Sequence, residues 1–448
     1  MGKYFGTDGI RGDANNTLSS ETAYKVGRFI GDYCAKKASG KIVIGKDTRL
    51  SSSMFESLLA AGISASGCDV YLIGYCSTPC LAYVAMNDKF DLGVMISASH
   101  NPYTDNGIKI FGNNGVKSQD DFELLIENYI DNPVGIDYAT GDSIGQIYEY
   151  KQEGLNSYKN WIKGLYPDDL SKFKVMIDCA NGSNSHIAYE VLKDLGCNVT
   201  PINYNPNGLN INNGCGSTHL ESLKVEIVKD KYDIGFAFDG DADRVLAVNG
   251  NGETKNGDII MYVLSKYLKD IGKMSGDTLV VTGYSNIGLH KAINNIGLKT
   301  DVVDNGDKYV LESMMKNGYG LGGEQSGHII IMKDCNFGDG LKTALCLLAA
   351  LNHFGCSIDE ACKELNIYPQ LLVNQRVTDK KVVLNDEDIK KAIEDVKEQL
   401  NGNGQILVRP SGTEPLIRVM VEAETDELCK EYVYKVIDLI KDKGYAAA

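Results

Sequence analysis

Positive charge is in short supply in this chain. Lys and Arg number 45 against 60 Asp and Glu over 448 residues, a formal net charge of −15. Binding a polyanion requires clustered lysine and arginine, so neither a nucleic-acid groove nor a docking face for anionic lipid is expected. A small anionic substrate stays compatible, provided a locally basic pocket exists. Long apolar runs are missing as well. Nothing approaches the roughly 18 residues of a membrane span, and the opening MGKYFGTDGIRGD has no signal-peptide core, so a cytoplasmic protein is expected. The twelve cysteines show no metal-type spacing, even at the closest pair, Cys76 and Cys80; reduced, mostly buried thiols are expected. A Walker P-loop is absent, and so is the Gly-x-Ser-x-Gly elbow of serine hydrolases.

What is present is an ordinary globular composition, 43% hydrophobic and 23% charged, in a chain too long for one core. Three segments share one order of elements. KIVIGKDTR, KVMIDCANG and TLVVTGYSN each read as a buried strand; an amphipathic helix follows, then a turn and a further strand. These are β-α-β units, which build parallel sheets covered by helices. Each copy continues to another strand: DLGVMIS, DIGFAF and YGLGG. After about residue 368 the pattern changes to helix, strands and helix around the loop RPSGTEP.

Polar loops follow those three further strands, and ligands of open parallel sheets bind at the carboxyl ends of strands. A shared cleft is therefore expected. SASHN offers Ser97, Ser99 and His100. A serine there, facing a metal loop, suits a phosphoryl carrier, which needs in-line access and a cation. DGDADR sets Asp239, Asp241 and Asp243 at alternate positions. Such crowding is costly without a cation, and oxygen ligands favour Mg²⁺ or Ca²⁺. An EF-hand is ruled out because its sixth and twelfth positions hold Arg244 and Gly250. GEQSGH supplies Glu324 and Ser326, which suit sugar hydroxyls. Lys109, alone among apolar residues in NGIKIF, reads either as a solvated strand lysine or as a proton donor or phosphate partner. RPSGTEPLIR, with two arginines and two hydroxyls, has the makings of an anion nest.

In order along nearly the whole chain, YFGTDGIRG, GKDTR, MISASHNP, DNGIKIFG, FDGDADR, GDKYV, GGEQSGH and RPSGTEPLIRVMVE resemble the α-D-phosphohexomutase superfamily. Within it they most resemble a bacterial branch acting on glucosamine phosphates. The resemblance implies three similar α/β domains with mixed, largely parallel sheets, at 1–152, 153–252 and 253–367. A smaller C-terminal α+β domain at 368–448 completes them around a central cleft.

The resemblance also implies a phosphorylated Ser99, Mg²⁺ held by Asp239, Asp241, Asp243 and the Ser99 phosphate, and assistance from Arg11, His100 and Lys109. Glu324 and Ser326 match sugar-hydroxyl readers. Arg409, Ser411, Gly412, Thr413 and Arg418 match a phosphate clamp. Where some mutases carry a histidine near the sugar, this chain has Asp307 and Lys308. The implied reaction converts glucosamine 6-phosphate to glucosamine 1-phosphate through a 1,6-bisphosphate, on the route to UDP-N-acetylglucosamine. Small sugar phosphates are the implied partners, for a monomer or homodimer. A phosphomannomutase or phosphoglucomutase, a metal-dependent phosphatase and a non-catalytic sugar-phosphate binder are the alternatives.

Overall fold

The run KIVIGK forms the strand Lys41–Lys46, whose residues 42–45 are buried. Burial on both faces is what an uninterrupted apolar strand of a helix-covered parallel sheet requires. A computed structural model of the chain describes residues 2–37, 40–166, 169–332, 335–411 and 415–447. They fall into two compact units, Met1–Thr282 with Val303–Cys362, and Gly283–Val302 with Lys363–Ala448.

Three sheets of the first unit repeat one plan. In the first, Asp69–Tyr75, Lys41–Lys46 and Leu92–Ile96 run parallel, and Asp105–Gly112 and Gly9–Asp13 continue the sheet antiparallel. In the second, Asn198–Ile202, Lys174–Asp178 and Ile234–Phe238 are parallel, and Val245–Asn249 returns antiparallel. In the third, Thr278–Thr282 pairs parallel with Leu321–Gly323, and Ile329–Ile331 returns. The last parallel strand of each sheet therefore doubles back, and its reversal is one of the three polar loops. These return strands are why the sheets are mixed.

The helix Gly340–Phe354 is buried along residues 340–351, and Asp339 caps it by accepting from the Lys342 amide at 3.0 Å. A helix apolar on every side belongs inside, and this one runs from beside the metal loop, its Gly340 amide donating to the Ala242 carbonyl at 3.1 Å.

The second unit holds an antiparallel sheet in the order Gln370–Arg376, Leu416–Glu422, Gln405–Pro410, with the helices Glu387–Leu400 and Asp426–Asp442. Its edge strand Gln370–Arg376 alternates exposed and half-buried residues; with so little burial it leaves a weak mark on the sequence, and only the other two strands are legible there. All twelve cysteines are free thiols, with Cys356 and Cys362 alone partly exposed. Among the described residues no helix is long and apolar enough to cross a membrane.

Candidate active site

Ser99 sits where the strand Leu92–Ile96 ends, in the left-handed region at φ 52°. Ser97 makes that turn, its Oγ accepting from the Ser99 amide at 3.0 Å. Two side chains grip the Ser99 carbonyl from behind: Arg49 Nη2 donates at 2.9 Å and Asn212 Nδ2 at 2.8 Å. Arg49 is itself buried and paired with the buried Asp47 at 2.8 Å. Gly240 closes over the same carbonyl, for a Cβ there would lie 2.6 Å from the oxygen. That approach allows only glycine, and it brings the metal loop onto the serine loop.

The outcome is that Ser99 Oγ donates to Asp239 Oδ2 at 2.6 Å. One oxygen from each of Asp239, Asp241 and Asp243 lies within 4.8 Å of the others, and all three residues are buried. Burial first, then Asp243 and Asp241, push the Asp239 carboxyl well above its ordinary range. Asp241 Oδ2 accepts from Thr78 Oγ1 at 2.6 Å and Lys109 Nζ at 2.8 Å. Its Oδ1, like Oδ1 of Asp243, is buried and accepts no hydrogen bond among the described residues. Orphaned carboxylate oxygens beside a repelled third carboxyl are a donor set that fits a hard divalent cation.

Lys109 lies on the fully paired strand Asp105–Gly112 and is 1% exposed. It reaches Asp241, Asp8 at 3.0 Å and Asp243 at 3.9 Å, so of the two readings of this lysine the solvated one is excluded: burial of residues 106–111 keeps the ammonium among the aspartates. Arg11, on Gly9–Asp13, pairs with Asp8. His100 Nδ1 stands 3.4 Å from Ser99 Oγ and 3.3 Å from Arg244 Nη1. Burial, then Arg244 and Arg11, hold this imidazole down at about 4, so it is neutral at physiological pH.

The third loop is laid on the second. Gly327, at φ 95°, would put a Cβ 2.3 Å from the Val245 carbonyl, and the Val245 amide donates to the Gly327 carbonyl at 3.1 Å. Glu324 thereby reaches a cleft of about 170 Å³ shared with Asp8, Arg11, Arg244, Asp307 and His328. Ser326 is exposed at the loop tip and does not line that cleft.

In the second unit, Arg409 and Arg418 stand directly opposite each other on paired strands. Like charges so placed repel, and Arg418 Nε is buried without a hydrogen-bond acceptor among the described residues; an anion would relieve both. The Ser411 amide donates to Leu416 O at 2.9 Å, and its carbonyl accepts from Lys380 Nζ at 2.7 Å. Gly412 and Thr413 lie outside the described residues.

Sequence reasoning missed Asp8, Thr78, Lys117, Lys380, and the Arg49 and Asn212 grips. Asp8 and Arg49 sat inside quoted motifs without a role; Thr78 and Asn212 carried no signal, because only the fold brings them to the loops. Thr78→Val should cost about 1–3 kcal/mol of stability by stripping a donor from a buried carboxylate. Urea unfolding of the two proteins measures it.

Sheets ending in a serine loop, an acidic metal-binding loop and a carboxylate loop define a sugar-phosphate mutase class, and comparison with known proteins agrees. Models of the phosphoglucomutase/phosphomannomutase family match in chain order: domain I at 2–134, domain II at 156–252, domain III at 256–368 and the C-terminal domain at 372–439. The chain belongs to this family.

Its curated relatives include the phosphoglucosamine mutases of Lachnospira eligens, 48% identical over the full length of both chains, and of Bacillus subtilis, 46% identical over 99% of each. The chain is accordingly a mutase of the phosphoglucosamine mutase type, an isomerase. Solved structures share the fold. A phosphoglucomutase/phosphomannomutase family protein from Burkholderia thailandensis superposes with a TM-score of 0.80 at 22% identity, covering 98% of this chain and 97% of that one. The N-acetylphosphoglucosamine mutase of Aspergillus fumigatus, in complex with GlcNAc-6P and magnesium, gives 0.70 at 19%, covering 97% and 95%.

Proposed function

We propose that the chain interconverts glucosamine 6-phosphate and glucosamine 1-phosphate through a phosphorylated Ser99. The observation carrying this is the 2.6 Å contact between Ser99 Oγ and Asp239 within the buried aspartate triad. Mg²⁺ is the proposed cation. Asp239, Asp241, Asp243 and the Ser99 phosphate would hold it, and it would supply charge neutralisation at the transferring phosphoryl group.

In the forward step the phosphoserine O–P bond breaks as the free sugar hydroxyl bonds to phosphorus, giving a 1,6-bisphosphate. His100, uncharged and beside Oγ, is positioned to exchange the hydroxyl proton. The bisphosphate turns around in the cleft and returns its other phosphoryl group to Ser99, releasing the 1-phosphate. Lys109, Arg11 and Arg244 offset charge at the transfer site. The loop carrying Arg409, Ser411, Gly412, Thr413 and Arg418 grips the non-reacting phosphate. Glu324, which lines the cleft, reads sugar hydroxyls through its lone-pair-rich carboxylate; Ser326, outside the cleft, is not assigned that role. The four domains are assigned to 1–152, 153–252, 253–367 and 368–448, in a cytoplasmic enzyme feeding UDP-N-acetylglucosamine synthesis.

Comparing kcat/KM for glucosamine, glucose and mannose 6-phosphates tests the assignment. The amino sugar is expected to lead by at least about tenfold; a lead for glucose or mannose transfers the enzyme to the neutral-sugar mutases. Release of inorganic phosphate in step with substrate loss would instead make it a phosphatase.

A further inference from the structure

Asp8 and Asp307 line the cleft but take no part in the reaction just described. Asp307 opens the helix Asp307–Asn317, directly after Gly306, and the Gly306 amide donates to Glu324 Oε1 at 3.2 Å. The turn bearing Asp307 is thus held against the group proposed to read the sugar's hydroxyls. Asp307 and Glu324 line the same cleft.

Lys117 Nζ bridges Asp307 Oδ2, at 2.5 Å, and Asp8. Asp8 has Arg11 and Lys109 besides, whereas Asp307 has Lys117 alone in close contact; His328 stands further off, with Nε2 3.8 Å from Asp307 Oδ2. Asp307 Oδ1 takes only the Lys308 amide among the described hydrogen bonds, at 2.9 Å, and so keeps lone-pair capacity towards the cleft. Burial would raise this carboxyl, but Lys117 and His328 outweigh that and hold it below the ordinary aspartate range. A fixed, ionised, partly unsatisfied carboxylate beside a sugar-hydroxyl reader is complementary to a cation on the sugar.

We propose that Asp307 is the specificity-determining residue that binds the 2-ammonium group of an amino-sugar phosphate, with Lys117 as the positioning residue that fixes its carboxylate. A sugar bearing a neutral 2-hydroxyl forfeits the charge-assisted hydrogen bond, and a 2-acetamido group both removes the charge and adds bulk. Selectivity then comes from one charge placed beside the hydroxyl reader rather than from the phosphoryl chemistry at Ser99. The inference rests on the cleft being the sugar site.

The test compares Asp307→Asn and Asp307→Ser with wild type on glucosamine 6-phosphate and glucose 6-phosphate, with thermal unfolding as a check on folding. The ratio of kcat/KM for the amino over the neutral sugar is expected to fall about 10–100-fold in the variants, as befits loss of a hydrogen bond to a charged group. A structural role would lower both activities together, so an unchanged ratio in either folded variant overturns the inference. Should neither variant fold, wild type decides: N-acetylglucosamine 6-phosphate must then inhibit at least tenfold more weakly than glucosamine 6-phosphate binds, and equal affinity overturns it. Wild type that turns over glucose 6-phosphate but not the amino sugar defeats the functional assignment itself, a separate result.

Discussion

Ser99→Ala is expected to lower kcat for glucosamine 6-phosphate by more than about a thousandfold while leaving a folded protein. The hydroxyl is the atom that would carry the phosphoryl group, and nothing near it can substitute. Ser97 Oγ is occupied by the Ser99 amide, and Thr78 Oγ1 is committed to Asp241. The backbone does not depend on the side chain, because Arg49, Asn212 and the close approach of Gly240 all act on the Ser99 carbonyl. Stability should therefore change by no more than about 1–2 kcal/mol, the worth of the bond to Asp239. Two measurements settle the matter: a coupled assay, and intact mass with peptide mapping after exposure to a hexose 1,6-bisphosphate. Wild type should gain one phosphate on the peptide holding Ser99, and the variant none. Normal turnover in the variant would mean that the phosphoryl group travels another way.

How far the sequence announced this site depends on what each residue answers to. The aspartates of the metal loop are legible because their crowding has a local cost, and Ser99 because an Asn-Pro turn ends an apolar strand. Asn212 and Thr78 are invisible for the opposite reason. An amide in INNGC and a threonine before a proline are ordinary turn residues until the fold sets them against Ser99 and Asp241, 113 and 163 positions away. The β-α-β repeat was readable from apolar runs, whereas the return strand Ile329–Ile331, only three residues long, was too short for any period to show. Lys109 lay between these cases. Its strand was evident, yet alternation along it predicts an outward side chain, and only burial on both faces makes the lysine an interior charge.

Lys109→Met is expected to be the most destabilising single change in the site, by about 3–5 kcal/mol, since removing one member of a buried ion pair strands the others. Burial alone would depress this lysine, but Asp241, Asp8 and Asp243 reverse the effect and hold its ammonium above the ordinary lysine range. Asp241 and Asp243 would face one another without that ammonium in the variant. Thr78 still serves Asp241, and Arg11 and Lys117 still serve Asp8, so the shortfall concentrates on the aspartate triad. An added divalent cation should then stabilise the variant more than it stabilises wild type, because it would replace the lost charge as well as fill its own site. Thermal unfolding with and without Mg²⁺ gives both numbers. A variant as stable as wild type would show that the triad is already neutral by protonation, and equal Mg²⁺ responses would show that Lys109 and the cation do not share the same carboxylates. The expected pairing, low stability with an enlarged metal response, follows from a simple requirement: three buried carboxylates at one loop need more positive charge than either the lysine or the cation brings alone.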